Sequence, residues 1–93
     1  MINKNILKIR RKLDILDNSF LDLIKKRSKL VDQVLKNKKF KRQIIDKKRI
    51  SIILRDIDKK SRKRNIDPKI TKKIWTSIIK AFIDYEFRNF KKK

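Results

Sequence analysis

NILKIRRKLDILDNSFLDLIKKRSKLVDQV, residues 5–34, decides the fold class. Ile6, Ile9, Leu13, Leu16, Phe20, Leu23, Arg27, Leu30 and Val34 recur at alternating spacings of three and four. That period is the seam of an α-helix packed lengthwise on other helices. Neither Pro nor Gly interrupts it, and the pattern predicts a helix over about residues 5–40. Such a helix is about 54 Å long at 1.5 Å per residue. The rest of a 93-residue chain is too short to cover its seam, so the pattern calls for a partner chain, a homodimer of long helices.

Outward from this segment the period breaks at KRQII, residues 41–45, which reads as a loop. Asp46 suits the N-cap of a second helix over about 46–64, with Ile50, Ile53, Leu54 and Ile57 on one face. Asn65 suits a left-handed position after that helix. Asp67 followed by Pro68 is a strong start signal for a third helix, over about 68–90. Trp75, Ile78, Ile79, Phe82 and Glu86 fall near one stripe of it. The expected fold is all-α, three helices in one domain over residues 1–93, with no sheet, internal repeat or glycine-rich phosphate loop.

Composition narrows the chemistry. Without cysteine there is no disulfide, zinc–thiolate site or thiol nucleophile; without histidine the commonest general base and metal ligand is missing. No cofactor or metal is expected. No apolar run resembles a signal peptide or a membrane span, so the expected compartment is the cytoplasm. The net charge of +21 admits a polyanionic partner, and a basic helical nucleic-acid-binding protein is the reading from another functional class. Yet Lys, Ile and Asn supply 45 of the 93 residues, and their codons are almost entirely A and T. An AT-rich genome produces that surface on any fold. The aromatics Phe20, Trp75, Phe82, Tyr85 and Phe90 follow apolar helical faces, where they are not free to stack on bases, so nucleic acid is not the expected partner.

A few charged residues interrupt the apolar stripes. Arg27 takes a seam position, and Lys38 lies eleven residues on, about 20° round and roughly 16 Å along a continuous helix. Arg10 is seventeen residues before Arg27, too far to share a small site in the same chain but within reach of a partner's site in an antiparallel dimer. Arg49 opens the second helix, and Glu86 is a lone carboxylate among Trp75, Ile79, Phe82 and Phe90. Burying unpaired cations is costly, and a bound dicarboxylate or phosphate ester offsets that cost. Each cation is equally able to snorkel to water, and Glu86 to pair with a lysine.

Together these positions resemble the all-helical chorismate mutase family (type II) over about residues 6–88. RRKLDILD carries the family's pattern of Arg, two residues, aliphatic, two residues, Leu-Asp, placing Arg10 as the arginine supplied across the dimer. FLDLIKKR ends at Arg27; Lys38 follows eleven residues on; DKKR gives Arg49; Glu86 stands at the helix-3 Gln or Glu. The resemblance implies an intertwined helical homodimer that rearranges chorismate to prephenate, a step in aromatic amino acid biosynthesis. The reaction is pericyclic and needs no nucleophile, base, metal or cofactor. It implies that Arg10 of the partner chain and Arg27 hold the two carboxylates, that Arg49 shapes the pocket, and that Lys38 donates to the ether oxygen. Glu86, when protonated, would donate to the same oxygen.

Two positions depart from the mutase pattern. Ile50 stands where many mutases have Glu to receive the substrate hydroxyl, and Phe82 where a small polar residue is common. Here the chain resembles the isochorismate pyruvate-lyases, which eliminate pyruvate from isochorismate to form salicylate. Both residues are placed in the substrate pocket, and the lyase is the alternative activity on the same fold.

Overall fold

A computed structural model describes residues 3–91. Three helices, α1 (Lys4–Lys36), α2 (Lys47–Lys63) and α3 (Pro68–Asn89), follow one another, with a single 3₁₀ turn at Lys41–Gln43 between the first two. There is no strand among the described residues. The chain divides after Val31 into two compact units.

The first unit is the bulk of α1. Its start is capped by Asn3, whose side-chain oxygen accepts the Ile6 N–H at 2.9 Å. The seam expected from the three–four spacing is present but bare: Leu16 is 63% exposed and Leu23 61%.

The second unit contains the end of α1, the connector and the α2–α3 hairpin. Asp46 caps α2 by accepting the Arg49 N–H at 3.0 Å; Asp67 caps α3 by accepting the Lys69 N–H at 2.9 Å, with Pro68 in the first turn. Between the two helices the chain reverses through a Schellman turn. The Ile66 N–H reaches back to the Ser61 carbonyl at 2.9 Å and the Asn65 N–H to Arg62 at 3.3 Å, while Asn65 takes φ 56°. Next to this turn α2 and α3 approach closely through small side chains. Buried Ser61 donates to the Ile57 carbonyl at 2.6 Å, the buried Thr71 hydroxyl lies 3.3 Å from the Pro68 carbonyl, and the two hydroxyls meet at 2.7 Å. Two buried hydroxyls thus satisfy each other across the hairpin, and neither is left orphaned.

The core of this unit is thin. Ile44, at 3% exposure, and Leu35 are its buried apolar residues. The α2 face of Ile50, Ile53, Leu54 and Ile57 and the α3 face of Trp75, Ile78, Ile79 and Phe82 are half-buried.

One expectation is corrected. Instead of continuing to residue 40, α1 ends at Lys36. The N–H groups of Asn37 and Lys38 bond three residues back, to Val34 at 3.0 Å and Leu35 at 3.1 Å, which tightens and closes the last turn. Lys38 is therefore in the connector, and an angle of 100° per residue does not describe its position.

Candidate active site

The structure joins two of the charged residues singled out by spacing. Lys38 Nζ donates to Glu86 Oε1 at 2.9 Å, from the connector to the middle of the last turns of α3. The pair is shielded: the Lys38 side chain is 18% exposed and that of Glu86 8%. Glu86 lies one turn beyond Phe82 on α3, so the half-buried ring and the carboxylate share a face. A lysine ammonium has three donors, and this contact uses one. The carboxylate thus holds the Lys38 ammonium in place through one of its three N–H groups.

α2 brings its own contributors. Arg49 sits in the first turn with its backbone N–H held by Asp46 and its side chain exposed. Ile50, the next residue, is half-buried. An aliphatic side chain there excludes water and offers no acceptor to a hydroxyl. Arg10 and Arg27 both lie on the first unit of α1 and are exposed. Seventeen residues of helix separate them, about 25 Å, so one chain does not bring these two together at a small ligand.

A second polar link, with no signal in the spacing, ties α1 to α3. The Tyr85 hydroxyl donates to Asp32 Oδ1 at 2.6 Å, and the Tyr85 ring meets Phe82 edge-on, centroids 6.4 Å apart. The hydrogen bond to Asp32 holds the Tyr85 hydroxyl above its ordinary pKa; partial burial and the charge of Asp32 add to this, and Arg88 opposes them. Asp32, Leu35, Lys36, Tyr85 and Asn89 line an open groove of about 510 Å³ beside this link. Fifty-three residues separate Asp32 from Tyr85, and no motif connects them. Only the fold shows the contact.

Among the described residues no group of carboxylates could hold a metal ion, and no helix is long and apolar enough to cross a membrane. No curated protein and no solved structure matches the chain. The family description that does match, chorismate mutase type II, extends over residues 9–87. It takes in the greater part of each of the three helices, the connector, and Arg10, Arg27, Lys38, Arg49 and Glu86. The chain belongs to the chorismate mutase type II family, the enzymes that isomerise chorismate to prephenate in aromatic amino acid biosynthesis.

Proposed function

We propose that this chain catalyses the chorismate-to-prephenate rearrangement with Lys38 as the principal donor to the breaking bond, in a homodimer whose two sites each draw on both chains. The observation that supports this reading most directly is the Lys38–Glu86 pair, a shielded cation held at 2.9 Å from a carboxylate on another element. In the rearrangement the ether C–O bond breaks as a C–C bond forms, and no proton is transferred. Negative charge grows on the ether oxygen, and a preorganised ammonium stabilises that charge without reorganising. Arg27 and Arg10 of the partner subunit hold the two carboxylates, fixing the folded conformer in which the reacting carbons meet. Arg49 completes the cationic wall. Glu86 orients Lys38 through their ion pair.

The exposed apolar seam of α1 supports the dimer: a second chain packed along it takes side chains such as Leu16 and Leu23 out of water. The cytoplasm, where this biosynthetic chemistry belongs, is the proposed compartment.

Ile50 favours a second reading, pyruvate elimination from isochorismate. Half-buried and without an acceptor, it cannot receive the substrate hydroxyl. Incubation of the protein with each substrate separately, with the products identified, distinguishes the two. Prephenate from chorismate is the expected result; salicylate and pyruvate from isochorismate, with chorismate unchanged, assigns the lyase. In the first case Ile50→Glu raises chorismate turnover, because the substrate hydroxyl gains its acceptor.

A further inference from the structure

We infer that Gln43 is a positioning residue for Lys38. The inference rests on the reading of Lys38 as the donor. Lys38 lies outside any helix, and a lysine side chain has four rotatable bonds, so its tip is only as well placed as the backbone at its root. On the N-terminal side that backbone is held by the Lys38 N–H bond to Leu35, at 3.1 Å. On the C-terminal side the two peptide groups that follow Lys38 turn toward one atom. The N–H groups of Lys39 and Phe40 both donate to Gln43 Oε1, at 2.7 and 2.8 Å. The Gln43 N–H returns to the Phe40 carbonyl at 3.0 Å and closes the loop. This is one half of a capping box, with the side chain reaching back to the start of a turn; Phe40, having no side-chain acceptor, cannot supply the other half.

The rest of the connector is fixed from outside Lys38. Ile44, immediately after Gln43, is buried, and the Arg42 guanidinium stands 4.6 Å above the Phe40 ring. Gln43 therefore links a buried anchor to the backbone bearing the donor. Its own side chain is exposed, and the N–H groups it holds can turn to water when it is removed. Loss of Gln43 thus frees the root of Lys38 while leaving the hairpin core in place. A displacement of about 1 Å at a reacting group is enough to cost on the order of a hundredfold in rate.

The carboxamide matters as an acceptor with two lone pairs. Glu keeps that acceptor at the same reach; Met keeps the length and loses it. Steady-state kinetics with chorismate on Gln43→Met, Gln43→Glu, Lys38→Ala and the double variant Lys38→Ala/Gln43→Met test the inference. Gln43→Met should lower kcat about tenfold with little change in KM. Gln43→Glu should stay within about threefold of the starting kcat. With Lys38 already removed, Gln43→Met should have almost no further effect, because there is no donor left to position. An equal loss in both backgrounds makes Gln43 a general structural residue and overturns the inference, as does a Gln43→Met protein that keeps full kcat beside an impaired Lys38→Ala. Full kcat in Lys38→Ala instead removes the donor reading itself, and the inference with it. Should Gln43→Met fail to fold by circular dichroism while Gln43→Glu folds, the acceptor is needed for the fold as a whole, which also overturns a role confined to Lys38.

Discussion

Replacing Lys38 with alanine removes two things at once. The first is the donor to the breaking C–O bond. Loss of one preorganised donor costs about 3–4 kcal/mol of transition-state stabilisation, a factor on the order of 10²–10³ in kcat. The second is the partner of Glu86, whose side chain is 8% exposed. Breaking a fully buried ion pair costs about 3–5 kcal/mol; the 18% exposure of Lys38 admits water and lowers the cost for this pair to about 2–3 kcal/mol. A domain of this size stands on only about 5–15 kcal/mol, so the kinetic loss has to be separated from loss of fold. The double variant Lys38→Ala/Glu86→Met separates them. It leaves no orphaned carboxylate and should recover about 1–2 kcal/mol of stability relative to Lys38→Ala, while kcat remains as low or lower. Stability is read from urea denaturation, and turnover from loss of the conjugated-diene absorbance of chorismate. Lys59→Ala and Lys72→Ala, both at exposed positions, are the controls and should be near neutral. A folded Lys38→Ala protein with kcat within a few-fold of the starting enzyme refutes the reasoning. So does a double variant in which kcat returns together with stability.

Arg10→Ala and Arg27→Ala should each be inactive, and mixing the two under subunit exchange should restore activity, because a heterodimer has one site with neither substitution. No rescue with exchange confirmed by mass spectrometry counts against a shared site. Tyr85→Phe should destabilise the fold at neutral pH by removing the bond to Asp32. Because the Tyr85 pKa is raised in the folded state, its contribution is complete below the ordinary tyrosine value near 10 and is lost as pH rises through the raised value. The stability gap between wild type and Tyr85→Phe should therefore narrow with alkaline pH; a constant gap would show that the contact does not depend on the phenolic proton.

The parts of the fold governed by local chemistry are legible in the sequence. A carboxylate before Pro68 and another at Asp46 cap helices because their acceptors lie within reach of nearby N–H groups. The stripe of α1 follows from period alone. Its end does not: NKKF contains neither Gly nor Pro, and the helix closes through bonds three residues back, with the chain beyond held by a side chain several residues later. Counting along a continuous helix points to Lys38, although the helix stops before it. The pairing with Glu86 arises instead from the route of the connector, across 48 residues of sequence. Asp32 and Tyr85 illustrate the same limit, since each is an ordinary polar residue on its own helix until the fold brings them together.

Asn65 is the only non-glycine residue with positive φ among those described, in a chain that has no glycine at all. Most residues lose about 1–2 kcal/mol in that conformation, and asparagine less, because its short side chain bonds locally. The hairpin of α2 and α3 has thus been left a tolerated substitute rather than the best residue. Its exposure to mutational load is asymmetric. A change in the third base of an asparagine codon gives lysine, the commonest residue in this protein, and incurs the full left-handed penalty. Glycine is two base changes away, both against an A/T bias, through serine or aspartate. The turn that aligns Ser61 with Thr71 is therefore a position where the next common mutation is harmful and the beneficial one is remote.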